Sequence, residues 1–304
     1  MNKVLSIKII EEIESGLGNP KTNYFAFFLK IKKIYKGMDI ALICNYILEN
    51  KKNPKLLSET IKTINSNKYI QNFEALLDFI IKTSDVDLKV LAIKTISTYK
   101  NAKAVPVLLT CLNDKKSNYK IRFAAADALG KVGGKNAFDA LKDVACDDEE
   151  KSAYVKESAV IALGNLGDNR AIDVFSSIMS SKQIFLDKFS YLKERVVEAI
   201  SKLDVSRNEK ALNILKTSIV DSSSRIRISA IETLMNLETP QAYDLIYDRL
   251  IYDDDFEVKK NALIALYNLT DRGILDEVIK GDFSFDLRAL AQEIIDEFEG
   301  EDDE

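Results

Sequence analysis

At 304 residues with 46% hydrophobic positions the chain has ample material for a core, and only 11 Gly and 4 Pro make a turn-rich all-β protein a poor fit. Its formal net charge is −5, and it contains no histidine, which removes Ser-His-Asp and Cys-His catalysis, histidine general bases and histidine-containing metal sites. The three cysteines, Cys44, Cys111 and Cys146, are widely spaced without a CxxC, and no apolar run is long enough to span a bilayer or to act as a secretory leader, so a cytoplasmic setting is expected.

Residues 1–84 read as a divergent helical cap of degenerate pairs. Tyr24, Phe27, Phe28, Ile31, Ile34 and Tyr35 form a helical stripe, with Lys30, Lys33 and Lys36 largely on other faces. Residues 56–64 suit a first helix and Phe73–Ile81 a second. From residue 85 to 297 a period emerges. Nine-residue segments beginning at Leu88, Ile121, Val155, Leu192, Ile226, Val258 and Leu287 superimpose without gaps, between 29 and 37 residues apart. Each starts with an aliphatic residue, follows it with Lys or Arg, and carries Ala or Val fifth. Apolar residues at the first, fifth, eighth and ninth places make one helical stripe, and the small fifth residue lets a neighbouring helix approach. After a break, second helices begin near Ala104, Ala137, Ala171, Ala211, Ala242 and Ile274. Gly130, Gly133, Gly134, Gly164 and Gly167 are expected in the left-handed conformations that end helices. Residues 298–304 read as a frayed acidic tail.

The pattern of Val155–Phe175, VKESAVIALGNLGDNRAIDVF, resembles the HEAT-like repeats of the phycobilin-lyase type. The resemblance implies an all-α, right-handed α-solenoid of stacked helix–turn–helix repeats, with the second helices lining a concave groove. It is specific for fold and nearly silent on function. The absence of histidine also removes the histidine-ligated di-iron chemistry of HEAT-type hydroxylases.

The cations at the second place (Lys89, Arg122, Lys156, Lys193, Arg227, Lys259, Arg288) are expected to form a structural ladder with Asp, Asn or Ser of the preceding loop, such as Asp85, Asn118 and Asp255. The acidic runs DDEE at 147–150 and DDDFE at 253–257 are expected to be solvated loops. Gly130–Lys135 lies between helices and lacks the strand context of a phosphate loop.

Binding is expected along the second helices. Their third and seventh places read Pro106 and Thr110, then from the second full repeat onward Asp139 and Asp143, Asp173 and Ser177, Asn213 and Thr217, Asp244 and Asp248, and Asp276 and Lys280. Residues four apart share a face, so the stripe is polar and mostly acidic. An insertion before Leu192 carries Phe185, Phe189 and Tyr191, either padding the core or anchoring a partner. Charge is split as well: residues 1–110 hold 17 Lys or Arg against 10 Asp or Glu, and the remainder 26 against 38. The leading expectation is therefore a non-catalytic protein–protein scaffold without cofactor or metal. Its partner would be a protein with a basic or mixed-charge segment held at Asp139, Asp143, Asp173, Asp244, Asp248, Phe185 and Phe189. Two other readings stand beside it: a lyase-like or cofactor-maturation factor, and nucleic-acid binding by the basic N-terminal end, which the acidic body disfavours. No membrane partner is expected, and the charge split permits self-association.

Overall fold

The computed structural model describes residues 7–17, 22–181, 190–205, 208–237, 239–270 and 272–301. Among them there are eighteen α-helices, two short 3-10 turns and no strand. No helix of the described residues is long and apolar enough to cross a membrane. The chain forms two compact units, Met1–Val144 with Glu150–Ala162, and Ala145–Glu149 with Leu163–Glu304.

In the first unit α1 (Ile7–Leu17) precedes the pairs α2 (Tyr24–Ile34) with α3 (Met38–Asn50), α4 (Pro54–Asn67) with α5 (Phe73–Lys82), and α6 (Val86–Ser97) with α7 (Val105–Asn113). Then come α8 (Tyr119–Val132), α9 (Lys135–Cys146) and α10 (Ala153–Asn165), the last two shared in sequence with the second unit. The first helices α2, α4, α6 and α8 pack in succession, while α3, α5 and α7 form the second layer. The second unit repeats this with α11 (Ala171–Ser180), α12 (Ser190–Ile200), α13 (Glu209–Ser218), α14 (Ser224–Met235), α15 (Pro240–Tyr252), α16 (Phe256–Thr270), α17 (Gly273–Lys280) and α18 (Phe285–Glu301). There α12, α14, α16 and α18 pack in a row.

Polar caps set where the helices start. Asn23, Asn53, Asp85, Asn118, Asn208 and Thr239 each accept a backbone N–H of the helix that follows, and Pro54 and Pro240 open their helices. The repeat phase is borne out by burial. The first places, Leu88 to Leu287, are buried, and the fifth places, Ala92, Ala125, Ala159, Val196, Ala230, Ala262 and Ala291, are all 0% exposed.

Two expectations are corrected. Gly130 and Gly164 do not end helices. They lie within α8 and α10, where a Cβ on Gly130 would meet the Ala162 Cβ at 2.7 Å and one on Gly164 the Ala199 Cβ at 2.8 Å. Positive φ falls instead on Gly133, Gly134 and Gly167.

The cation ladder exists, but its partners differ from those expected. Asp85, Asn118 and Asp255 are occupied by backbone N–H groups at the starts of their helices. The carboxylates come from the loop that closes the repeat: Arg122 pairs with Glu150 at 2.6 Å, Lys193 with Asp221 at 2.9 Å, and Arg227 with Asp253 at 2.8 Å. Arg122 and Arg227, and Lys259 of a later repeat, also reach backwards. Arg122 Nε donates to the Leu112 carbonyl, Arg227 Nη1 to that of Asp221, and Lys259 Nζ to that of Ile251. Arg122 and Arg227 thus each tie the end of one repeat to the end of the next. The acidic runs are accordingly not wholly solvated, since Glu150 and Asp253 are 4% and 5% exposed.

This ladder predicts a response to acid. Burial works to raise the Asp221 carboxyl, but the Ser223 N–H and the Lys193 ammonium outweigh it and hold it below its ordinary value of 3.8. Asp253 is likewise raised by burial and lowered further by Arg227, with the same net direction. A depressed folded-state value stabilises the fold above the unfolded value and is lost as pH falls through the folded one. The second unit is therefore expected to lose stability as pH falls below about 4. In Asp221→Asn and Asp253→Asn variants, unfolding midpoints followed by circular dichroism should fall less steeply with acid than in the parent. Equal slopes would show that the two carboxylates play no part.

Candidate partner-binding site

The exposed faces of the second helices place the predicted acidic residues as follows. In the first unit Asp139 and Asp143 stand on α9, both exposed and one helical turn apart, and Thr110 is exposed on α7. In the second unit Asp173 and Ser177 are exposed on α11, Asn213 and Thr217 on α13, and Asp244 and Asp248 on α15. The third-and-seventh spacing therefore does select the solvent face in each helix. The buried faces explain why: Ile172 and Phe175 of α11, Ile214 and Leu215 of α13, and Ile246 and Leu250 of α15 turn into the core.

The carboxylates are not equivalent. Asp173 is bound by Lys210 at 2.5 Å, which links α11 to α13 and cancels the charge there. Asp139, Asp143, Asp244 and Asp248 form no ion pair among the described residues. Phe185 and Phe189 lie outside the described residues.

The second unit adds groups that the sequence pattern did not single out. Tyr243 and Tyr247 stack along α15 with ring centroids 5.9 Å apart. The Tyr247 hydroxyl donates to Glu277 on α17, and that bond pushes its ionisation up to about 12. Their i, i+4 spacing on the helix that bears Asp244 and Asp248 was the available signal. Between α11 and α13 lies a cleft of about 440 Å³, lined by Ser176, Ser180, Lys210, Asn213 and Thr217 with the Lys193–Asp221 pair. Asn213 and Thr217 belong to the predicted stripe, whereas the cleft itself depends on helix spacing, which the sequence pattern does not report. Among the described residues no group of three or more Cys, Asp or Glu side chains is placed to hold a metal ion.

Comparison with known proteins agrees with this repeat architecture. A family model described as HEAT repeats matches residues 73–153 and 182–267, and one described as PBS lyase HEAT-like repeat matches residues 155–178. A curated relative, deoxyhypusine hydroxylase of Arabidopsis thaliana, is 25% identical over 166 residues, covering 47% of this chain and 52% of the relative. The chain thus spans about half the length of the curated relative it matches. Among solved structures, Escherichia coli YibA aligns with a TM-score of 0.50 at 18% identity, covering 78% of this chain and 84% of that one. The complex of CpcE and CpcF of phycocyanin lyase from Nostoc aligns with a TM-score of 0.47 at 21% identity, covering 72% and 84%.

These findings overturn the expectation of a chain that is not an enzyme, since the curated relative is by its name a hydroxylase. The absence of histidine removes histidine-based chemistry only, leaving carboxylates, lysines and tyrosines in place. The matched repeats cover more than half of the sequence, and the chain belongs to the HEAT-repeat family.

Proposed function

We propose that this chain is a protein-binding scaffold whose second-helix faces capture segments of basic or mixed charge. The observation that carries the reading is the recurrence of exposed carboxylates one turn apart on equivalent helices, Asp139 with Asp143 on α9 and Asp244 with Asp248 on α15, none of them in an ion pair among the described residues. An acidic residue in a first turn is favoured by the helix dipole alone. None of the four lies in the first turn of its helix, so that preference does not account for them. The stacked Tyr243 and Tyr247 add apolar area with a polar edge, the kind of surface that anchors a partner.

Exposed carboxylates contribute about 0–1 kcal/mol each, so single substitutions should do little. Replacing Asp143, Asp244 and Asp248 together by Lys is expected to weaken capture of partners from the native host markedly, without loss of helicity. Affinity capture with the parent and the triple variant, read by mass spectrometry, makes the comparison. Recovery of the same partners in equal amounts with both would refute the reading.

A further inference from the structure

The two ends of the chain carry opposite charge on surfaces that also expose large apolar side chains. Residues 21–68 hold 10 lysines against 3 acidic residues, and residues 240–304 hold 19 acidic residues against 6 basic ones. At the basic end Phe25 and Leu29 follow each other on one face of α2, 61% and 48% exposed, with Lys30 and Lys33 exposed beside them. Next to Phe25 opens a groove of about 940 Å³ across α2, α4 and α6, walled by Tyr24, Pro54 and Leu91 and bordered by Lys55 and Lys62. Of the acidic residues in this groove, Glu59 is paired with Lys62 at 2.7 Å and Asp85 caps α6, leaving the exposed Asp87.

The acidic end offers the converse. Phe256 and Phe285 hold the same repeat place on α16 and α18, two residues ahead of the buried Val258 and Leu287. α16 packs against α18 in the row of first helices. In the first unit Tyr119, at this place on α8, stacks on Tyr154 of α10 with centroids 5.6 Å apart. Phe285 is 77% exposed and Phe256 41%, and Tyr252, which ends α15, is 72% exposed. Exposed Asp254, Glu257, Asp282 and Asp286 flank them, against Lys260 and Arg288 one turn or less further in. Projecting aromatics framed by carboxylates thus face a groove with apolar walls in the lysine-rich segment 21–68, whose own lining holds Lys55 and Lys62 beside Glu59, Asp85 and Asp87.

We propose that copies of this chain associate head to tail, the aromatic–acidic edge of one seating on the α2 groove of the next. Such a heterologous contact uses the head of one copy and the tail of another, and closes into a ring or runs on as an open chain according to its rotation. Charge complementarity speeds and orients the encounter, while the buried aromatics supply most of the affinity. The surfaces are first-helix edges, so this inference stands apart from the capture of partners by second-helix faces.

Sedimentation velocity over a concentration series tests it. The parent is expected to associate as its concentration rises and to dissociate as salt rises from about 0.1 M to about 1 M, over which screening shortens from about 10 to about 3 Å. Phe25→Asp and Phe285→Asp alter exposed side chains, and each alone should weaken association by at least about ten-fold. Mixed, the two variants should form dimers and nothing larger, because one intact head and one intact tail remain. A parent that stays monomeric throughout, or either variant assembling like the parent, would overturn the proposal. So would a mixture that stays monomeric. Circular dichroism confirms the fold of both variants, and the salt response of the parent tests the charge match without any substitution.

Discussion

Replacing Glu150 by Ala is expected to destabilise the first unit by about 3–5 kcal/mol, the loss that follows when one partner of a buried ion pair is removed. Both side chains are inaccessible, at 6% for Arg122 and 2% for Glu150. The guanidinium makes two parallel bonds to the carboxylate, at 3.0 and 2.6 Å, and Nε donates to the Leu112 carbonyl at 2.9 Å. Without Glu150 the two terminal nitrogens of Arg122 are left buried without their carboxylate, and the Ser152 N–H loses its acceptor at 2.9 Å. Glu150→Gln keeps the shape and an acceptor for Arg122 while removing the charge, so its loss should be smaller. Urea unfolding of the three proteins gives the comparison. A Glu150→Ala loss below about 1 kcal/mol would place the pair with ordinary surface bridges and would sink the idea that the ladder ties successive repeats together.

The same ladder shows how far the sequence could be read. The recurrence of a cation after each first aliphatic residue marks a structural position, and the structure places Arg122, Lys193 and Arg227 in ion pairs between repeats. Their partners escaped the reading because pattern arguments look for neighbours within a few residues. Arg122 and Glu150 are 28 residues apart, and Arg227 and Asp253 are 26 apart, so their proximity follows from a whole helix pair folding back. The helix stripes were legible because a period near 3.6 reports directly on burial, and all seven fifth-place residues lie in the core. The acidic stripe was legible in the same way, as the solvent side of helices whose other side is apolar. The neutralisation of Asp173 by Lys210 was not, since it joins two helices 37 residues apart in sequence. The paired tyrosines of α15 carried a usable i, i+4 signal that charge-based alignment passed over.

Gly130→Ala should destabilise the first unit by about 1–3 kcal/mol, against the sign that helix propensity gives. Gly130 lies inside α8, and exchange for Ala in a helix interior ordinarily contributes about 1 kcal/mol in favour of Ala. Here the added methyl would stand 2.7 Å from the Ala162 Cβ, 2.8 Å from its Cα and 3.1 Å from its carbonyl oxygen. Two of those atoms are backbone, so no rotamer change relieves the contact, and α8 and α10 must part. Parting them opens gaps along a face where Ala124, Ala128, Ala159 and Ala162 are fully buried, and closely packed interiors do not refill such gaps. Overpacking of this kind typically costs about 1–3 kcal/mol and occasionally more. Gly164 meets Ala199 in the second unit at 2.8 Å from both Cβ and carbonyl oxygen, so Gly164→Ala should behave alike there. Adding Ala162→Gly to Gly130→Ala removes the Cβ contact but not the one at Cα, and should recover only part of the loss. Unfolding midpoints for the single and double variants decide the matter. A Gly130→Ala protein as stable as its parent, or more so, would show that α8 and α10 can separate without penalty and that the glycine is not required by their close approach.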